Sequence, residues 1–426
     1  MKKNWRTAAL LVLVCLMTSS AWGLDFWDKL PADVLAQRLA AAMDDEELAS
    51  QVFLWGYPGV VPPESFVHSI AQVGLGGVKI FGWNAVSTKA VAEAVRTFQK
   101  AAQESPFHIP LLVATDQEGG WVRHIKGRTS QTSGNLSLGA ENLGWDSYKT
   151  GFYLGQELAI LGVNMDFAPS VDLYIDPEVN VIGPRSFGRF PYQVGWLGVA
   201  FVRGEMDSGV IPTAKHFPGH GNTSQDSHGS LPIIHDDWNV LKSREMIPYK
   251  MLIQEGLPAI MTGHLAFPEI SGNLLPASLN PKLNRDLLRD KLHFQGVVVT
   301  DDLFMVGAKP KEWSITEPAL RGLEAGNDLL LISQPADVQA ADRRAVVRKM
   351  ETDRAFRDLV RAAVVRVLEL KLKFLKGPKA VPLFPDPDHL ALPDGQAQKF
   401  FFGQAVRSTV LIKGNDLPWP PQAGKG

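Results

Sequence analysis

Cysteine is almost missing: Cys15 is the only one in 426 residues, so neither an internal disulfide nor a thiolate metal centre can hold the fold, and packing must. Charge of one sign is missing too. The 43 Lys+Arg against 45 Asp+Glu leave a formal charge of -2, without the basic excess that neutralises a row of phosphates, which argues against nucleic acid as a partner. Membrane-length apolar runs are also lacking. The run from Ala8 to Met17 is about ten residues, half of the roughly 20 that a bilayer crossing needs. What remains is 45% hydrophobic, 21% charged and 9% aromatic, a globular composition with enough chain for one large domain or two modest ones, and neither disordered nor fibrous.

The short apolar run has its own reading. Lys2, Lys3 and Arg6 precede it, and Thr18-Ser19-Ser20-Ala21-Trp22-Gly23 follow, with Ala21 and Gly23 as the small residues of a cleavage site after Gly23. This is the pattern of a secretory signal peptide over residues 1–23, and it predicts an exported chain, periplasmic or secreted, beginning near Leu24. Cleavage would remove the sole cysteine. Lipidation at Cys15 is the weaker alternative, because Val14 is bulkier than the small residue such a signal prefers, and an uncleaved anchor is the other.

Beyond the signal, short β-branched runs alternate with longer amphipathic stretches. The runs are Gln51 to Leu54, Gly77 to Phe81, Leu111 to Thr115, Val163 to Phe167, Ile211 to Lys215, Ala259 to Thr262, Val297 to Thr300 and Asp328 to Ile332. Helical spacing of apolar residues marks Thr88 to Gln103, Ser147 to Leu161, Gln193 to Ser208, Glu317 to Ala325 and Arg354 to Leu375. Eight strand-helix units predict an α/β fold, a (β/α)8 TIM-type barrel over residues 24–375. Over 376–426, Gly377 to Asp394 carries repeated prolines and reads as an extended linker. Phe400 to Gly414 reads as a strand, a remnant too short to fold alone.

Reactive residues fall at the carboxyl ends of these runs: Asp116 after the third, Lys215 and His216 at the fifth, His264 after the sixth and Asp301 after the seventh. In a barrel those ends converge on one face, where such folds place their chemistry. The densest group is Lys215-His216-Phe217-Pro218-Gly219-His220-Gly221-Asn222-Thr223, followed by Asp226-Ser227-His228. It admits three readings. As a plain surface loop its histidines would only hydrogen-bond locally. As a metal site, His216 and His220 would join Asp226 or His228, but four-residue spacing converges imidazoles on a helix, and Pro218, Gly219 and Gly221 oppose one. As a dyad, Asp226 would orient His228 from two residues away in extended chain, making it a general acid/base. The partner for such a group is Asp301, which ends an apolar strand and should face the barrel mouth, with Asp302 bracing a neighbour. An Asp nucleophile beside a proton donor is the equipment of retaining glycoside hydrolysis. Asp116-Gln117-Glu118-Gly119-Gly120 adds a carboxylate and glycines for close backbone approach, and Asn180 to Gly188 adds Arg185 in a Gly-Pro loop.

Taken together, Asp116-Gln-Glu-Gly-Gly, Val181-Ile-Gly-x-Arg185-Ser-Phe-Gly, Lys215-His-Phe-Pro-Gly-His-Gly with Asp226-Ser-His228, and Thr300-Asp301-Asp-Leu-x-Met305 resemble glycoside hydrolase family 3, specifically its NagZ-type β-N-acetylhexosaminidases. Order and spacing hold from about Leu35 to Leu375. The resemblance implies Asp301 as nucleophile, His228 as acid/base, Asp226 as its dyad partner, and sugar binding by Asp116, Arg185, Lys215 and His216, with His264 beside them. Three features depart from that pattern. Eight residues past the Asp, where the family usually has a sugar-binding Arg, stands His124, with Arg123 one place earlier, so either one is the sugar ligand. Asn222 stands where an Asp is common. Ala405 to Asn415 looks like the first strand of a second α/β domain, but the sequence ends soon after.

The function these features predict is an exported exo-β-N-acetylglucosaminidase acting on cell-wall peptidoglycan or chitin-type glycans, with no cofactor or metal. The alternatives are an amino-sugar-binding protein without catalysis, and a phosphorylase or β-glucosidase of the same family. Phosphorolysis stays open because a neutral imidazole repels an incoming anion less than a carboxylate does. Trp55, Trp83 and Trp121 are available to stack on sugar rings or to pack.

Overall fold

The computed structural model describes residues 23–410 apart from 176–180, 224, 226, 228, 310, 311 and 334. Its eight strands are β1 (Phe53–Gly56), β2 (Gly77–Lys79), β3 (Leu112–Thr115), β4 (Met165–Asp166), β5 (Ile211–Phe217), β6 (Ala259–Thr262), β7 (Val297–Thr300) and β8 (Leu330–Ile332). All paired neighbours run parallel, in the order β7-β6-β5-β4-β3-β2-β1-β8. The sheet closes on itself where Leu329 N donates to Val298 O and Thr300 N to Leu329 O, both at 3.0 Å. The predicted barrel is therefore present, and every predicted run contains or overlaps an observed strand. A strand buried on both faces shows a continuous apolar run instead of alternation, which is why these short segments are legible.

Leu54, Leu112, Met165, Phe167, Ile211, Met261, Val299 and Leu331 fill the barrel interior as one cluster. Each such side chain removed from water contributes about 1.5–3 kcal/mol. The helix Arg354–Leu375 closes the amino-terminal end, contributing Val367 and Leu370 to that cluster, while Arg366 Nε reaches Asp328 at the start of β8 at 2.8 Å. Around the outside, the helix Thr88–Gln103 starts at Ser87, whose side chain accepts from Ala90 N at 3.1 Å, and turns Val91, Val95 and Phe98 inward. The helices Gly144–Ile160 and Pro191–Ser208 approach almost backbone to backbone. A Cβ on Gly204 would lie 2.1 Å from Tyr148 O, so only glycine fits there.

The carboxyl-terminal expectations need correction. The proline-rich stretch is not a free linker: Val381, Leu390 and Leu392 are buried in the main core. The strand predicted over Phe400 to Gly414 is a helix, Gly395–Arg407, over its first part, and residues 411–414 lie outside the described set. Asp394 caps this helix by accepting from Gln396 N at 2.8 Å, and Ala397, Phe401 and Gln404 share its buried face. Phe400 and Phe401 pack on Tyr153. Of the β-branched residues that suggest a strand, Val406 lies within the helix and Thr409 follows it.

Candidate active site

At the carboxyl ends of the strands lies a cavity of about 380 Å³, lined among others by Lys79, Asp116, His124, Arg185, Lys215, His216, His220 and Asp301. Residues as far apart in sequence as Lys79 and Asp301 meet here because the strand ends and the loops that follow them converge on this face.

Asp116, one residue past β3, is held by two lysines. Lys215 Nζ lies 2.5 Å from its Oδ1, and Lys79 Nζ bonds its Oδ2. Lys215 also reaches Glu118 Oε1 at 2.6 Å, and Arg185 grips Glu118 with two parallel bonds, Nε to Oε2 at 2.9 Å and Nη2 to Oε1 at 2.7 Å. The result is a row of alternating charge, Lys79, Asp116, Lys215, Glu118, Arg185. Burial alone would raise both carboxyl pKa values, but the adjoining cations prevail: Asp116 sits well below its usual range and Glu118 at about 2. Lys215, between two carboxylates, is raised despite burial. Lys79 is lowered, because burial outweighs its single carboxylate. The row presents fixed donors and acceptors of the kind a polyol needs.

His216 follows Lys215 on β5. Its Nδ1 lies 2.7 Å from Asp172 Oδ2, which orients the ring and points Nε2 toward Arg185 Nη2, 3.4 Å away. Asp172 also accepts from His220 N at 2.7 Å and His216 N at 3.2 Å, and these bonds with the imidazoles hold it ionised although burial opposes that. His220 lines the same cavity with both ring nitrogens buried and without a hydrogen-bond partner among the described residues, and burial lowers it to about 4, so it is neutral. Asn222 turns away, donating to Asp236 Oδ2 at 2.9 Å.

Asp301 leaves β7, its backbone N donating to Thr262 O at 2.9 Å while its Oδ1 accepts from Asp302 N at 2.8 Å. Burial would raise its pKa, but His264, His216, that backbone bond and Lys215 bring it below the usual value, so it is ionised at neutral pH. An ionised carboxylate lining the cavity is what a nucleophile requires. In an eight-stranded ring, β7 lies diametrically opposite β3. Asp301 and the Lys79–Asp116 pair therefore face each other across the mouth.

Two predicted sugar ligands are placed elsewhere. His264 is fully buried and spent on structure: Nδ1 lies 2.7 Å from Ser278 Oγ, and Nε2 donates to Asp302 O at 2.9 Å. It fixes the segment that carries Asp301. Arg123 does not line the cavity; its Nη1 donates to Ser130 O at 2.9 Å, beside the buried Glu157. His124 does line it, so the position eight past Asp116 faces inward with the imidazole itself. Asp226 and His228 lie outside the described residues; Ser227 between them lines the cavity, and its carbonyl accepts from Gly307 N at 3.1 Å. The glycines after Glu118 serve packing: Gly119 has φ +84°, and a Cβ there would lie 2.4 Å from Thr132 Oγ1. Trp55 is buried, and Trp121 is 75% exposed and outside the cavity lining. Trp83 lines the rim, stacked on Phe81 with ring centroids 4.2 Å apart.

Sequence reasoning passed over three groups. Lys79 lies inside an apolar run, although a lysine in a strand buried on both faces is itself a signal. Asp172 sits in irregular chain after β4, without periodicity to mark it. Asp166 and Glu205 form a buried carboxyl pair behind Asp116; burial lifts Asp166 to about 7 and Glu205 well above its usual value, so the pair retains a proton at neutral pH. Among the described residues no group of three His, Cys, Asp or Glu is arranged to hold a metal ion.

Comparison with known proteins follows the same lines. Residues 48–370 match the glycosyl hydrolase family 3 N terminal domain. The chain belongs to glycoside hydrolase family 3. It is 32% identical over 334 residues to beta-hexosaminidase A of Pseudoalteromonas piscicida, covering 74% of this chain and 56% of that protein. It is 33% identical to the beta-hexosaminidase of Nitrosomonas eutropha, covering 62% of this chain and 75% of that one. The chain thus spans little more than half the length of the first relative. Among solved structures it resembles a family 3 beta-N-acetylglucosaminidase from Paenibacillus sp. str. FPU-7, with 33% identity and a TM-score of 0.81 over 86% of this chain and 69% of that one. The beta-N-acetylhexosaminidase of Beutenbergia cavernae aligns at 30% identity and a TM-score of 0.71, over 78% of this chain and 99% of that one.

Proposed function

We propose that this chain is an exported, retaining exo-β-N-acetylglucosaminidase that removes terminal GlcNAc from cell-wall glycans. The observation that carries the reading is the ionised Asp301 on β7 facing the Lys79–Asp116 pair on the opposite side of one cavity. A pyranose bridging the two sides puts its anomeric carbon at Asp301 and its distal hydroxyls at the charged row. The relatives' names supply the class of sugar: both curated relatives are called beta-hexosaminidases. Asp301 attacks the anomeric carbon and forms a glycosyl-enzyme; the aglycone oxygen takes a proton as it leaves, and water then completes the cycle. The acid/base role falls to His228, oriented by Asp226, on the strength of the Asp-x-His motif in the loop after β5. Export rests on the residue pattern of 1–23.

The test is release of nitrophenol from the β-glycosides of GlcNAc, GalNAc and glucose in parallel, with and without phosphate. GlcNAc turnover that needs no phosphate and vanishes in Asp301→Ala supports the reading. Preference for glucose, or a requirement for phosphate, refutes it, as does tight GlcNAc binding without turnover.

A further inference from the structure

We propose that Lys79 is a substrate-binding residue that reads the hydroxyl on C4 of the sugar. This inference rests on the glycosidase reading and deepens it. Lys79 ends β2 and is 1% exposed, in a barrel interior where a charged side chain needs a reason. Its ammonium has three protons. Among the described residues one acceptor serves it, Asp116 Oδ2, and the rest of its surroundings are the faces of Phe81 and Phe167, with Nζ 4.9 and 4.8 Å from the ring centroids. The remaining N–H groups thus have no hydrogen-bond acceptor among the described residues, and Lys79 lines the cavity. A buried donor left unmet costs free energy that an incoming hydroxyl can restore.

Two neighbours complete the arrangement. His124 Nδ1 is buried without a hydrogen-bond partner among the described residues and lies 3.6 Å from Asp116 Oδ2. Burial, then the positive charge of Lys79, lowers His124 to about 4, so at neutral pH it approaches as a neutral ring. Donor, acceptor and imidazole therefore cluster at the β2–β3 side, opposite Asp301 on β7. In a pyranose the ring carbon across from C1 is C4. With C1 at Asp301, the hydroxyl that reaches Lys79 and Asp116 is the one on C4, and an equatorial and an axial oxygen there differ in direction. A charged donor held between two aromatic faces cannot follow the axial one, so this group separates GlcNAc from its C4 epimer GalNAc. Asp116 is already pinned by Lys215, which leaves Lys79 free to act on the ligand without being the sole support of the carboxylate.

The experiment compares wild type, Lys79→Met and Lys79→Arg on nitrophenyl β-glycosides of GlcNAc, GalNAc and 4-deoxy-GlcNAc, with calorimetric binding of free GlcNAc and 4-deoxy-GlcNAc. Methionine matches the lysine stem and suits the aromatic surroundings; melting temperatures confirm folding, and Lys79→Gln, which keeps a donor, stands in if methionine does not fold. The expected result is a fall in kcat/KM on GlcNAc of about 10- to 100-fold in Lys79→Met, carried mainly by KM, the range for losing a charge-assisted hydrogen bond. The GlcNAc over GalNAc preference should shrink, 4-deoxy-GlcNAc should be processed equally by wild type and Lys79→Met, and Lys79→Arg should recover part of the loss. Equal losses on GlcNAc and 4-deoxy-GlcNAc overturn the proposal. A wild type inactive on every glycoside would refute the glycosidase reading alone, because the binding comparison still decides whether Lys79 distinguishes the two free sugars.

Discussion

Lys371, at the opposite end of the barrel from the cavity, should make the protein less stable than it would be with an apolar residue. It lies on the helix Arg354–Leu375, fully buried, and among the described residues its Nζ has one hydrogen-bonding partner, Gln51 Oε1 at 3.0 Å, and no carboxylate within ion-pair reach. Burial lowers its pKa from 10.5 to about 7. Between those values the unfolded chain binds more protons at this site than the folded one, so the contribution of Lys371 to stability improves as pH rises from 7 towards 10.5 and is flat below 7. At about 1.4 kcal/mol per pKa unit, the cost below pH 7 is on the order of 5 kcal/mol. Lys371→Met removes that cost but strands Gln51 Oε1, a loss of about 1–3 kcal/mol. The net expectation is a stabilisation of roughly 2 kcal/mol near pH 7, diminishing and then reversing towards pH 10. Thermal unfolding of wild type and variant from pH 6 to pH 10 reads the difference directly, while glycosidase activity, housed at the other end, should be unchanged. A difference independent of pH, or a variant less stable at pH 6, would refute the reasoning.

Other expectations concern the site and the tail. Asp172→Asn should loosen the orientation of the His216 ring and weaken the bonds to the His216 and His220 backbones, lowering kcat/KM by about 10- to 100-fold, measured on nitrophenyl GlcNAc. Asp166 has a raised folded pKa of about 7, so its contribution to stability falls as pH rises from about 4 to 7. Asp166→Asn keeps an oxygen for Gln117 N, and its unfolding midpoint should lose that fall and exceed the wild-type midpoint at pH 8. Phe401→Ala should cost about 3–5 kcal/mol if the Gly395–Arg407 helix is an integral part of the domain, whereas an unchanged denaturation midpoint would show that it is a removable appendage.

The strands were legible because burial on both faces writes them as compact apolar runs, and the helix Thr88–Gln103 because Val91, Val95 and Phe98 recur on one face. The strand-end positions of Asp116, Lys215, His216 and Asp301 followed from the barrel geometry itself. What escaped was decided by partners distant in sequence. His264 looks like a ligand at a strand end until Ser278 and the Asp302 carbonyl occupy both its nitrogens. Arg123 and His124 differ by one register position, and only the bond to Ser130 shows which of them turns away. The tail reads as a strand because Val406, Thr409, Val410 and Ile412 are β-branched, whereas Asp394-Gly395 is the start signal of a helix.

The row from Lys79 to Arg185 alternates sign at each step and is closed off from bulk water along most of its length. Each ion in it is met by an opposite charge on its neighbour instead of by dissolved counterions. A neutral sugar entering such a site displaces no salt, so its affinity should hold from fresh water to brine.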